Sequence, residues 1–259
     1  MAGMLVMLFV LLVIGAVAAR VCRPLPAADG HSPLVGTETD IEIDSFTVGT
    51  FNIHRARGLD GRKDLSRVAA VIAGCDVVGL QEVEGESLFK RENQGETLAR
   101  RLDCWAHFSP TRLRAFFPER GNALLSRVPV TAWRRRPLPI IRGKGYRNFT
   151  EYTLSIGDQV IVLINTHLSK PDGNTAGLEQ VLSAFLHHQH AVLLGDFNAA
   201  STHPGFARLR DGHTIDAIGG TGDERVDHIF VRGLKVLSTW TFPAGPSDHP
   251  FFAARLSLL

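Results

Sequence analysis

Cysteine is scarce in this chain: Cys22, Cys75 and Cys104 are the only thiols among 259 residues. Three residues so far apart exclude a zinc cluster and a disulfide framework. One Cys75–Cys104 bridge stays open for an exported chain, and the other reading of a free cysteine is a small buried apolar residue. Internal repeats and low-complexity tracts are also missing. Net charge is nearly absent at +2, a figure that hides any local field. Met1 to Ala19 carries no charged side chain, and no Lys or Arg precedes its apolar run "LVMLFVLLVIGAVAA".

That run is what the sequence has in place of charge. Roughly 20 such residues can cross a bilayer as a helix. They can also be a signal peptide cleaved after Ala16-Val17-Ala18, which has the small-x-small form of a cleavage site. Arg20 and Arg23 follow the run, an order that favours a C-terminal flank left in the cytoplasm. Residues 1–22 are therefore read as anchor or signal, with membrane contact through residues 1–19. The expected address is the bacterial inner membrane or periplasm. Residues 23–43, rich in Pro, Gly and small polar side chains, read as a linker. Residues 44–259 form the expected folded domain, and a monomer is expected.

Charge is unevenly spread within that domain. From Trp105 to Arg147 ten basic residues face the single acid Glu119, a local excess of nine. Such a segment is either a solvated face or a surface that attracts phosphate groups. Few aromatics interleave the arginines, which weakens a single-strand stacking role.

Apolar, β-branched stretches mark the strands: "FTVGTFNI", "DVVGLQEV", 122–126, 149–156, 160–166, 191–194, 226–231, 236–242 and 251–258. Helices are expected over "DLSRVAAVIAG", 95–102, 175–187 and 204–209. Strands outnumber helices and lie close in sequence, which predicts packed, mainly antiparallel sheets flanked by helices rather than a doubly wound parallel sheet. Polar groups cluster where these strands end: Asn52; Gln81 and Glu82; Asn165 and His167; Asp196 and Asn198; Asp227 and His228; and Ser247, Asp248 and His249. Each alone has a dull explanation as turn chemistry. Together they predict one polar edge in which paired carboxylates require a compensating charge, and a hard cation such as Mg²⁺ supplies it.

The motifs "TFNIH", "LQEVE", "NTHLS", "GDFNA", "VDHIFV" and "SDHPF", in this order and spacing, resemble the endonuclease/exonuclease/phosphatase superfamily, which includes deoxyribonuclease I, abasic-site endonucleases, sphingomyelinases and inositol polyphosphate 5-phosphatases. The resemblance runs from about Phe46 to Leu258 and is strongest to small bacterial members of unsettled substrate. It implies a four-layered α/β sandwich and an Mg²⁺-dependent phosphoesterase, Mn²⁺ substituting, with nucleic acid or phospholipid as substrate. By the same resemblance Asn52 and Glu82 match the metal-binding pair, with Asp248 close by. Asp196 and Asn198 match the pair that activates the attacking water and holds phosphoryl oxygens. His249 and the Asp227 that orients it match the active-site histidine and its acid. His167 matches a second histidine that donates to the phosphate or leaving oxygen, and Arg147 is a candidate phosphate clamp. His54 departs from nuclease members that carry an acid two residues after the metal-binding Asn. A different class of reading is a catalytically inactive member serving as a membrane-proximal binding module, although none of the expected positions is missing.

Overall fold

A computed structural model describes residues 2–21, 23–32, 45–87, 90–114, 117–171, 175–219 and 224–258, without the side chains of 18–21. Thirteen strands and four α-helices are found among them. Helix α1 (Ala2–Val21) comes first, followed by β1 (Ala28–His31), β2 (Ser45–Asn52), α2 (Leu65–Ile72), β3 (Val77–Glu84) and α3 (Gln94–Leu102). Next are β4 (Trp105–Arg112), β5 (Arg120–Ser126), β6 (Val130–Pro137), β7 (Asn148–Ile156), β8 (Gln159–His167) and α4 (Ala176–Leu186). The chain closes with β9 (Ala191–Asp196), β10 (Thr214–Asp216), β11 (Asp227–Arg232), β12 (Leu234–Phe242) and β13 (Phe251–Leu258).

The strands form two sheets. One runs β1-β6-β7-β8-β9-β11-β10, the other β12-β13-β2-β3-β5-β4. Every pairing is antiparallel except β2 with β3 and β8 with β9. A parallel pair needs a crossover, and α2 and α4 are those crossovers. The inner faces of the sheets meet in a core of Phe46, Val48, Leu124, Tyr152, Leu163, Val192, Leu194 and their neighbours. The outer face of the six-stranded sheet packs Val78 and Leu80 against Val68, Ile72 and Leu98 of α2 and α3. The outer face of the seven-stranded sheet packs Ile164 and Leu193 against Leu178, Val181 and Phe185 of α4. The result is the expected four-layered α/β sandwich. Strand β9 shows how the sequence encodes it: Val192 and Leu194 point into the intersheet core, while Ala191 and Leu193 point toward α4.

Four strands lie beyond those expected: β1, β4, β6 and β10. Strands β4 ("WAHFSPTR") and β6 ("VTAWRRRP") carry proline and arginine in place of alternating aliphatics, so their periodicity is faint. Aromatic packing joins them instead: His107 stacks between Trp105 and Trp133, its ring centre 4.2 Å from that of Trp133, and meets the buried Tyr152 edge-on. Strand β1 falls inside the expected linker and pairs with β6, Ala28 opposite Arg135 and His31 opposite Ala132. Residues 33–43 of that linker, and the expected domain start at 44, lie outside the described residues. The expected helix at 204–209 is a 3-10 turn.

Cys75 and Cys104 are free thiols. Burial pushes the Cys75 thiol up to about 12 and raises that of Cys104 as well. Helix α1 is exposed on every side from Ala2 to Val17. Among the described residues no helix is long and apolar enough to cross a membrane: described side chains end at Val17, roughly 24 Å of apolar helix, although the helical backbone continues to Val21.

Candidate active site

The two parallel pairs place their C-terminal ends side by side. Asn52 and Glu82 come from the six-stranded sheet, His167 and Asp196 from the seven-stranded sheet. Just inside this edge the sheets are braced by buried amides. Gln81 Nε2 donates to Asn165 Oδ1 at 2.8 Å, and Asn165 Nδ2 donates to the carbonyls of Ala123 and Leu80 at 2.9 and 3.3 Å. These two polar strand ends therefore join sheets and do not face solvent. His228 is likewise structural: fully buried, it bonds the Ala199 carbonyl through Nε2 at 2.9 Å.

Asp196 is the hub. Its Oδ1 accepts from the Asn198 backbone N–H at 2.9 Å and its Oδ2 from Asn52 Nδ2 at 3.0 Å. Nε2 of His167 lies 3.3 Å from Oδ2 and that of His249 3.8 Å. Burial, with the Asp227 charge nearby, pushes the Asp196 carboxyl up to about 6, against the lowering influence of His249. Asp227 opens β11 directly opposite Asp196 in the ladder. Its Oδ2 accepts from His249 Nδ1 at 2.8 Å, while its Oδ1 is buried without a hydrogen-bond partner among the described residues. Burial raises the Asp227 carboxyl too. Burial opposes a charge on His249, yet the hydrogen bond and charge of Asp227, with Asp196 and Asp248, push its imidazole up to about 9. His249 is thus an imidazolium at neutral pH.

His167 is its opposite. Buried, and close to the cations Arg147 and His249, it titrates well below the ordinary range and stays neutral. Its Nε2 is also 3.3 Å from Asn198 Nδ2, which donates to the Leu168 carbonyl at 2.9 Å. A neutral imidazole can offer an N–H to a phosphoryl oxygen but is a poor source of a full proton.

A cavity of about 220 Å³ adjoins this cluster, lined by Glu82, Thr111, Arg120, Gly121, Asn122, Gly145, Arg147 and His167. Glu82 faces it from a left-handed conformation, φ 53°, at the register break of β3 on β5. The Glu82 carboxylate accepts no hydrogen bond among the described residues. Desolvation lowers the Arg147 guanidinium, against the opposing charges of Glu82 and Asp196. Ser247 anchors the last segment by donating to the Asn52 carbonyl at 2.6 Å, which leaves Asp248 half-exposed, its Oδ1 3.3 Å from His54 Nδ1. All nine expected residues therefore meet at one edge: six in the hydrogen-bonded cluster, Glu82 and Arg147 at the cavity, Asp248 at the solvent side.

Arg55 was not foreseen. Its Nε lies 4.0 Å from Glu82 Oε2, and its guanidinium contacts His54 Nε2. Residues His54, Arg55 and Ala56 all have positive φ, a tight left-handed turn that none of the three residue types advertises. With Glu82 and Asn198 also left-handed, backbone strain is concentrated around the site.

The donor set suits a hard divalent cation. Asn52, Glu82 and Asp248 offer oxygens, and Asp227 Oδ1 is an orphaned buried carboxylate atom. Asp196, Asp227 and His249 also bring ligand atoms within 4.8 Å of one another. In that trio, however, His249 Nδ1 is committed to Asp227, which makes it an acid–base relay more than a cage.

The decisive comparison is with protein families: the model of the endonuclease/exonuclease/phosphatase family matches residues 49–249. The chain belongs to this family. An endonuclease/exonuclease/phosphatase from Beutenbergia cavernae is 26% identical over 83% of this chain and 72% of that one, with a TM-score of 0.66. A family protein from Leptotrichia buccalis is 19% identical over 82% and 100%, with a TM-score of 0.67. Truncated TDP2 of Caenorhabditis elegans is 19% identical over 82% and 97%, with a TM-score of 0.57; at that identity it shares the fold. No match is found among curated proteins. Membership places the chain among metal-dependent phosphoesterases.

Proposed function

We propose that the protein hydrolyses a phosphodiester or phosphomonoester with Mg²⁺, Mn²⁺ substituting, by in-line attack of water. The observation that carries this reading is Asp196: a desolvated carboxylate fixed through both oxygens and facing the His249–Asp227 pair. Asn52, Glu82 and Asp248 would hold the cation, which when bound supplies Lewis-acid polarisation of the phosphate.

The chain's own groups act on the attacking water and on the phosphoryl oxygens, while the P–O bond opposite the water breaks and the departing oxygen takes its proton from solvent. Asp196, ionised above about 6, accepts the proton of the attacking water. Imidazolium His249, oriented by Asp227, offers its Nε2 N–H to the charge that develops on the phosphoryl oxygens. Asn198 and neutral His167 donate to the same oxygens, and Arg147 clamps the substrate phosphate from the cavity wall. Asn198 comes to lie beside Asp196 because the chain turns just past the end of β9: from a left-handed backbone, φ 50°, the Asn198 N–H donates back to Asp196 Oδ1 at 2.9 Å.

The test uses purified full chain with bis(p-nitrophenyl) phosphate. Hydrolysis should require Mg²⁺ or Mn²⁺ and stop with EDTA. It should fall at least about a thousandfold in Asp196→Asn and strongly in His249→Ala. Metal-independent turnover, or an Asp196→Asn enzyme as fast as wild type, would sink the mechanism. No turnover together with no divalent-ion heat in calorimetry would favour the inactive binding module.

A further inference from the structure

The N-terminal segment joins the domain at the edge that carries the site. Leu25 N–H donates to the Thr111 carbonyl at 2.9 Å, and Thr111 lines the cavity with Glu82, Arg147 and His167. Strand β1 begins next to the C-terminal end of β6, whose Pro137 pairs with Asn148, the neighbour of Arg147. Only four residue steps separate the last residue of α1, Val21, from Leu25. Fully extended they reach at most about 14 Å.

What lies at the other end of that short link is a helix with apolar side chains all round and nothing packed on it from Ala2 to Val17. A helix of this kind is stable only in a core or in lipid. Its apolar stretch from Ala2 to Val17 runs roughly 24 Å, long enough to bury within the ~30 Å hydrocarbon layer of a bilayer.

The loops around the site have the matching chemistry. Leu59, Phe117 and Ile140 are 66%, 63% and 63% exposed. They sit in three separate loops, following β2, β4 and β6, and strand polarity puts all three loops at the site edge. The Leu59 N–H bonds the Gly245 carbonyl beside the Ser247–His249 segment. The Arg114 guanidinium lies 5.2 Å from the centre of the Phe117 ring. Exposed Arg120 and Arg142 flank these apolar tips. One exposed apolar residue means nothing. Three on one edge, set among arginines and tied to an apolar helix by a short link, fit an anionic headgroup layer.

We propose, on the basis of the phosphoesterase reading above, that the catalytic edge docks face-down on an anionic lipid bilayer. In this arrangement α1 lies in the hydrocarbon, the Leu25–Thr111 bond holds the site against the headgroups, and Leu59, Phe117 and Ile140 dip into the interface. The phosphoester is then delivered by the bilayer surface itself.

The test reads contact with lipid, independently of which ester is cleaved. Full chain in a Cys22→Ser, Cys104→Ser background carries an environment-sensitive dye at Phe117→Cys, or at Val160→Cys near the start of β8, at the far end of the sheet. It is reconstituted into phosphatidylcholine vesicles with about one third phosphatidylglycerol and a nitroxide-labelled lipid. The expected result is strong quenching at position 117 and little at 160, with quenching at 117 sharply reduced by about twenty Gly-Ser residues inserted after Arg23. Equal quenching at both sites, none at 117, or no effect of the insertion overturns the proposal. So does shielding of the 117 dye by plasmid DNA but not by vesicles. Turnover of bis(p-nitrophenyl) phosphate by the same preparations reports the phosphoesterase reading separately, so each can fail without the other.

Discussion

Asp196 illustrates how a residue can be costly to the fold and necessary to the site. It sits buried beside a second buried carboxylate, Asp227, and both are raised by that burial. Asp196→Asn keeps the shape and removes the charge, so its thermal midpoint should equal or exceed that of wild type in metal-free buffer while turnover is lost. A marked drop in the midpoint would mean that the carboxylate is structural. His107 supplies the opposite lesson. Its Nδ1 lies 3.0 Å from the Tyr152 hydroxyl, and burial pushes its imidazole down to about 4. The unfolded chain takes up a proton near pH 6.5 that the fold refuses. The contribution is therefore complete above about 6.5 and disappears as pH falls toward 4, at most roughly 3 kcal/mol. Urea unfolding across that window should show the slope, and His107→Phe should flatten part of it, His228 with its similarly low value supplying more. The polar residues of the site were legible in the sequence because each ends an apolar strand. Arg55 was not, because its place depends on a left-handed turn of His54, Arg55 and Ala56 for which the sequence holds no glycine or asparagine signal.

The elements divide along similar lines. Strands β2, β3, β8, β9, β11 and β13 are written in aliphatic and β-branched residues because most are buried on both faces. Those are the strands that carry the site, which is why its location could be read before its geometry. Strands β1 and β6 exist through pairing and one tryptophan. A Cβ on Gly30 would come within 2.6 Å of the Trp133 indole, so the strand lies flat on that ring only because the residue is glycine. Nothing local in "AADGH" signals this, and the segment reads as linker. At the junction of β9 with the site, Gly195 adopts φ 145° with the Thr166 carbonyl oxygen 2.0 Å from where a Cβ would stand. Gly195→Ala should therefore destabilise by more than about 2 kcal/mol in urea unfolding and loosen the β8–β9 pairing beneath Asp196. A neutral result would show that the ladder can shift at no cost.

For the whole molecule, a cation that binds the folded state alone must stabilise it by mass action, about 2.7 kcal/mol at a hundred times its Kd. Calorimetry should therefore find Mg²⁺ or Mn²⁺ raising the melting temperature, and Glu82→Gln should abolish most of that rise; an identical rise in the variant would move the cation elsewhere. The four layers could be foreseen, since counts and spacing of strands dictate them, but how the halves meet could not. Asn52 and Glu82 stand on the six-stranded sheet, with His249 on the segment leading into its strand β13, and His167, Asp196 and Asp227 stand on the other. The bonds Asn52 to Asp196 and His249 to Asp227 are thus seams between two slabs. Catalysis is accordingly a property of neither slab: a slip of an ångström or two between them would separate acid, base and cation while every ladder stayed intact. During gentle denaturation turnover should vanish before far-ultraviolet circular dichroism changes, which makes the enzyme its own strain gauge for the mating of its halves.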